Sequence, residues 1–224
     1  MGLIDEKDAR MKTRSWCYFL LVLQPLIACG LPQRYSVVSG SAEISEDGTV
    51  MTVVQKSVYA AIEFDRLDLA PQERLQFIQP KNGLVQITCT SGMTNHIQGK
   101  IVADCAVHAG NPAGFVFSPT AEVMAEALLI SAGGEAQGRP DRDNQYLRDA
   151  AGVVVIDGFM SVGDLRIAAD KCEHRGAIRA VDDNGSGGHV DLFARDTVVL
   201  GSMSTTMANA GAIGNGGKIS IVGK

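Results

Sequence analysis

Gly163-Asp164-Leu165-Arg166-Ile167-Ala168-Ala169, Gly188-His189-Val190-Asp191-Leu192-Phe193-Ala194 and Gly217-Lys218-Ile219-Ser220-Ile221-Val222-Gly223 are the stretches that decide the fold. Each reads Gly-x-aliphatic-x-aliphatic-x-small, and they recur at offsets of 25 and 29 residues. Turn residues, Asn184-Gly185-Ser186-Gly187 and Gly214-Asn215-Gly216, lead into the last two. One such unit holds only two or three short strands and cannot bury its apolar side chains alone. Coils stacked at about 4.8 Å bury them as a column and pair every backbone group with a neighbour. The pattern therefore predicts a solenoid over residues 151–224, with glycines at the corners where the chain turns sharply. The competing reading is a Gly-rich antiparallel sandwich.

Composition agrees. Of 25 glycines, 13 fall between Gly152 and Lys224, and aromatic residues are only 5% of the 224, so small and aliphatic side chains must fill a narrow interior. The net charge is −5, with no Lys/Arg run of the kind that tracks phosphates, which argues against nucleic acid as a ligand. With 46% apolar residues the chain is not a disordered polymer.

Working outward toward the N-terminus, residues 50–117 read as short strands between turns. Val85, Ile87 and Cys89 alternate with polar neighbours, as do Ile101, Ala103, Cys105 and Val107, so both cysteines should point inward. Breaks fall at Glu46-Asp47-Gly48, Gln79-Pro80-Lys81-Asn82-Gly83 and Gly110-Asn111-Pro112-Ala113-Gly114. Residues 119–129, rich in Ala, Glu, Met and Leu behind a proline, predict a short helix. Residues 133–150 are polar and charged and read as an exposed loop or insertion.

Residues 1–30 read as a secretory signal peptide. Lys12 and Arg14 precede Trp16-Cys17-Tyr18-Phe19-Leu20-Leu21-Val22-Leu23-Gln24-Pro25-Leu26-Ile27, which is too short to span a bilayer but fits a leader's apolar region. Leu26-Ile27-Ala28-Cys29 matches a bacterial lipobox, with lipidation at Cys29, while Ala28-Cys29-Gly30 supplies the small residues of an ordinary cleavage site. Both readings stand, and either sends the protein out through the periplasm to the medium, the cell surface or a membrane tether. Export leaves Cys89, Cys105 and Cys172, too few for a disulfide scaffold.

The order of landmarks across residues 35–131 resembles the haemagglutination activity, or two-partner secretion, domain of filamentous haemagglutinin-like exoproteins, which puts that domain at residues 31–132. The resemblance rests on Val38-x-Gly40-x-Ala42-x-Ile44, Met51-x-Val53-x-Gln55-x-Ser57, Ala60-Ala61-Ile62-Glu63-Phe64-Asp65, Glu73-x-Leu75-x-Phe77-x-Gln79-Pro80, Ile97-x-Gly99-x-Ile101 and Asn111-Pro112-Ala113-Gly114-Phe115-x-Phe117. It implies an all-β, right-handed parallel β-helix with an N-terminal β cap. It also implies recognition by an outer-membrane barrel transporter with periplasmic recognition domains, and a host or neighbouring-cell surface receptor engaged by downstream regions. Residues 151–224 then begin a Gly-rich shaft that is truncated at Lys224. The resemblance makes Asn111, Pro112 and Gly114 the candidate partner-recognition and secretion motif. Here Ala113 replaces the second Asn of the family's usual Asn-Pro-Asn-Gly, and Phe64 stands where the family often has Trp.

Chemistry is sparse. His96, His108, His174 and His189 lack metal-ligand spacing, and Cys172-x-His174 reads as a surface pair. Asp182-Asp183-Asn184-Gly185-Ser186-Gly187-Gly188 has the oxygens of a calcium loop without its closing Glu. Asp65, Asp68 and Glu73 read as solvated turn acids rather than a catalytic pair. No cofactor or enzymatic activity is expected. Two alternatives to the secretion module remain, a β-helical surface lipoprotein or binding protein and, less favoured, a β-helical polysaccharide-active enzyme.

Overall fold

The computed structural model describes residues 30–133, 151–181, 185–210 and 214–223, and among these every regular element is a strand. The chain coils as a parallel β-helix with three faces. Face one stacks β3 (Val50–Gln55), β5 (Arg74–Ile78), β8 (Lys100–Ala103), the start of β11 (Glu122–Ser131), the start of β13 (Phe159–His174), β14 (Ala177–Ala180) and β16 (Thr205–Met207). Face two stacks β4 (Tyr59–Phe64), β6 (Leu84–Cys89), β9 (Ala106–Gly110), the end of β11, the middle of β13, the start of β15 (His189–Leu200) and β17 (Lys218–Val222). Face three holds β7 (Asn95–Ile97), β10 (Gly114–Phe117), β12 (Val153–Ile156) and the ends of β13 and β15.

Two strands close the N-terminal end. β1 (Tyr35–Ser39) lies antiparallel on β4, and β2 (Ala42–Asp47) antiparallel on β3, so the first parallel coil does not present bare edges on those faces. Leu31 is buried in the same core cluster as the solenoid interior. Gly40, at φ +74°, permits the crossing from β1 to β2, because a Cβ there would overlap the Tyr59 carbonyl oxygen.

The interior follows from period-two alternation repeated at equal register. On face two Ala60, Val85, Val107, Leu128, Leu165 and Val190 form one inward row, and Ile62, Ile87, Ala109, Ile130, Ile167 and Leu192 a second, all buried. The offsets of 25 and 29 are those by which Asp164 faces His189 and His189 faces Lys218. The corner glycines have a steric cause: a Cβ on Gly188 would overlap the Gly163 carbonyl, and one on Gly217 the Gly188 carbonyl.

Residues 119–129 are not helical. β11 runs Glu122–Ser131, pairing first with β8 and then with β9 above, and with β13 below. Val123, Leu128 and Ile130 face inward, and a row of hydrogen bonds on both sides outweighs the helix propensity of Ala, Glu and Met. The run from Ile101 to Val107 also splits, into β8 and β9, with Asp104 and Cys105 forming the corner. Residues 134–150, the greater part of the expected insertion, and the leader with Cys29 lie outside the described residues.

Candidate functional site

The Asn111-Pro112-Ala113-Gly114 turn is a corner between faces two and three, joining β9 to β10. Its geometry follows from residue type. Pro112 supplies the fixed φ suited to the second position of a four-residue turn, and the Gly114 N–H donates to the Asn111 carbonyl at 2.9 Å. The Asn111 side chain locks the corner: its Oδ1 accepts from the Ala113 N–H at 3.1 Å, and its Nδ2 donates to the Gly114 carbonyl at 2.8 Å and the Met93 carbonyl at 2.9 Å. The Asn111 N–H donates to the Ser131 carbonyl at 3.0 Å, so the residue ties together three successive coils. It is completely buried.

Gly114 sits at φ +95°, where a Cβ would overlap the Val153 carbonyl of the next coil. The motif is thus sandwiched between the 91–94 corner above and Gly152 and Val153 below. Pro112 is exposed and Ala113 half-exposed; these are the two members a partner can touch. The Asn-to-Ala departure at position 113 therefore alters the outer surface of the turn and leaves its lock intact.

Neighbouring corners use the same device with other side chains. Gln79 donates through Nε2 to the Gln55 Oε1 at 3.1 Å and the Ala106 carbonyl at 3.0 Å, while its Oε1 accepts from the Cys105 N–H at 3.0 Å. Buried Asn95 accepts from the Leu67 N–H at 3.1 Å. Asp68 accepts from the His96 N–H at 2.7 Å and pairs with Arg66 at 2.6 Å, and Glu73 accepts from the Ala70 N–H at 2.7 Å. Asp68 and Glu73 are buried corner staples, not the solvated acids their turn setting suggests. Period-two spacing could have revealed none of these roles, because each depends on which backbone N–H or carbonyl the corner brings near, and for Gln79, Asn95 and Asp68 that group belongs to an adjacent coil.

Cys172 and His174 also depart from expectation. They are not a surface pair: both are completely buried, projecting inward from the end of β13. The His174 Nε2 lies 3.0 Å from the Thr206 Oγ1, and burial lowers the imidazole's pKa. Burial likewise pushes His108 down to about 4, assisted by the Arg166 charge, and pushes the Cys89 and Cys172 thiols up to about 12. Cys89, Cys105 and Cys172 are all free and buried. No group of three metal-ligating side chains occurs among the described residues. Asp182, Asp183 and Asn184 of the candidate calcium loop lie outside them.

The chain is 30% identical over 167 residues to a heme/hemopexin-binding protein of Haemophilus influenzae strain Rd, a match taking in 68% of this chain and 18% of that protein. A second Haemophilus influenzae heme/hemopexin-binding protein is 29% identical over 102 residues, or 45% of this chain and 11% of that one. The crystal structure of the HMW1 secretion domain from Haemophilus influenzae superposes with a TM-score of 0.61 at 22% identity, covering 73% of this chain and 44% of that chain. That likeness is one of fold, and it bears out the β-helical reading. No protein-family profile matches. The matches span less than a fifth of the length of the curated relatives.

Proposed function

We propose that this chain is the secretion module at the front of a two-partner-secreted exoprotein. In this reading a leader within residues 1–30 directs Sec export, an outer-membrane barrel transporter with periplasmic recognition domains engages residues 31–132, and the capped coils nucleate a β-helical shaft. The observation that carries it is the capped three-faced solenoid, which shares its fold with a solved secretion domain over 73% of the chain. On the last coil the inward-facing Leu200, Ile219 and Ile221 are substantially exposed.

The resemblance favours an adhesin or haemagglutinin acting on a cell-surface receptor through downstream regions. The identity to heme/hemopexin-binding proteins favours a second reading, in which those regions bind a ligand of the heme or hemopexin class.

The turn at residues 111–114 contributes to secretion in one of two physical ways, as a contact or as a fold lock, and its geometry allows them to be separated. Ala113→Asp changes the exposed surface alone, whereas Asn111→Ala removes buried hydrogen bonds. With the transporter co-expressed, Ala113→Asp blocks release to the medium without loss of stability if the turn is a direct contact. Normal release of Ala113→Asp, with failure of Asn111→Ala, assigns the turn to folding. Unchanged release for both, or release that does not depend on the transporter, would overturn the secretion role of this turn. Cys29→Ser tests the tether: maturation that stops without the thiol would favour the lipoprotein reading, and normal maturation the leader of a released protein.

A further inference from the structure

Three Asn-Gly pairs mark corners of this chain, Asn82-Gly83, Asn184-Gly185 and Asn215-Gly216, and Asn184 lies outside the described residues. Such a pair carries its own chemistry, because a glycine has no side chain to shield its amide nitrogen from the Asn side chain before it. Whether that nitrogen can reach the Asn side chain depends on how the corner is held. At Asn82 it is held on every side. Asn82 is exposed at φ +60°, the third residue of a turn in which the Gly83 N–H donates to the Pro80 carbonyl at 2.8 Å. The Gly83 carbonyl accepts from the Ala106 N–H at 3.1 Å, and the Leu84 N–H donates to the Val58 carbonyl at 2.8 Å, so coils above and below grip the same residues. Gly83 itself is buried, and a Cβ there would lie 2.7 Å from the Pro80 carbonyl oxygen. Swinging its nitrogen toward the Asn82 side chain would break the turn.

The corner before β17 is the reverse case. Asn215 and Gly216 are both exposed, and a Cβ on Gly216 would meet nothing within 4 Å. Among the described residues neither the Asn215 side chain nor the Gly216 N–H has a hydrogen-bond partner. The ties at this corner fall on other atoms: the Asn215 carbonyl accepts from the Gly187 N–H at 2.8 Å, and the Gly217 N–H donates to the Ala208 carbonyl at 2.7 Å. The nitrogen that is tied and buried at Gly83 is free and open to water at Gly216.

We propose that Asn215 is a site of spontaneous deamidation and backbone isomerisation, and that the fold protects Asn82 from the same reaction. The Gly216 nitrogen attacks the Asn215 Cγ, the Cγ–Nδ2 bond breaks, and ammonia leaves with the proton of the Gly216 amide, closing a succinimide. Water then opens the ring at one carbonyl or the other, giving aspartate or isoaspartate at position 215. Either product adds a negative charge; the isoaspartate also lengthens the main chain by one carbon. That extra atom falls just before Gly217, which packs so closely on the Gly187 and Gly188 backbone that a Cβ would overlap it. Isomerisation therefore loosens β17 on β15 and leaves the earlier coils as they were.

The test ages the purified full chain at pH 8, folded and in urea, and follows by mass spectrometry the gain of one mass unit in the peptides that carry Asn82 and Asn215. In the folded chain Asn215 should convert at least ~10-fold faster than Asn82, whose reaction waits on local opening of its corner, and in urea the two rates should converge. Gly216→Ala, for which the corner has room, should suppress conversion at 215 without lowering the urea midpoint. Hydrogen exchange then compares the isoaspartate fraction with Asn215→Asp, which adds the charge alone; faster exchange of the β17 amides in the isoaspartate form is expected. Equal rates for the two asparagines in the folded chain, or an Asn215 that converts only in urea, overturns the site. Exchange in β17 no faster than in Asn215→Asp overturns the effect on the strand.

Discussion

Replacing Gly114 by alanine probes the contact on which the 111–114 corner depends. Two costs combine there. Holding a non-glycine residue at φ +95° costs about 1–2 kcal/mol. The new methyl also overlaps the Val153 carbonyl, so β12 must move away from β10, an overpacking cost of about 1–3 kcal/mol. The expected loss is about 2–5 kcal/mol. Gly48 is the control: it has φ +59° with nothing within 4 Å of a Cβ, so Gly48→Ala incurs only the backbone cost. Urea unfolding of the two purified variants, followed by circular dichroism, measures the difference as a midpoint shift; in thermal scans each kcal/mol corresponds to about 2–4 °C for a chain of this size. Equal midpoints for Gly114→Ala and Gly48→Ala would refute the claim that the turn is clamped by the following coil.

Asn111→Ala should cost about 2–4 kcal/mol by the same assay, since it removes three side-chain hydrogen bonds in a buried corner and leaves carbonyls unpaired. Leu165→Ala, at a completely buried row position, should cost about 2–5 kcal/mol, while Arg166→Ala on the outer side should stay within about 1 kcal/mol; a reversed order would contradict the assigned facing. His108 and His174 are held neutral by burial, so their contribution is present above pH 6.5. It is lost as pH falls from 6.5 toward about 4 for His108, because the unfolded chain binds protons first. His108→Gln should flatten that acid limb in a stability-versus-pH series. The buried thiols at Cys89 and Cys172 should resist alkylation at pH 8 until denaturant is added, and rapid labelling of the folded protein would count against their placement.

The repeat offsets and the inward rows were legible because alternation and corner glycines are local properties written directly into the chain. Gly163, Gly188 and Gly217 announced their stacking by spacing alone. The residues 119–129 were misleading because helix propensity is also local, while the hydrogen bonds that β11 gains from β8, β9 and β13 are not. Likewise the burial of Asp68 and Glu73 could not be read from turn-rich surroundings: each accepts a backbone N–H inside a corner, and for Asp68 the donor, His96, belongs to the next coil. Cys172 and His174 share a face by simple alternation, so that part was readable. That the face is the inner one depends on their pairing with Val154 and Ile156. The Asn111 turn was recognisable from its residues, but the coils that enclose it were not.

The step between equivalent positions on face one ranges from 18 residues, Phe159 to Ala177, to 37 residues, Glu122 to Phe159, yet register is kept on either side. Such a molecule counts faces rather than residues. The Ala132 carbonyl accepts from both the Ala151 and Gly152 N–H groups at the corner between faces two and three, and the pairing of β11 with β13 keeps its register on either side of that corner. Corners are therefore places where evolution can add length without renegotiating the interior, and a lineage of such proteins can diversify its surface one loop at a time while every rung continues to fit the one before it.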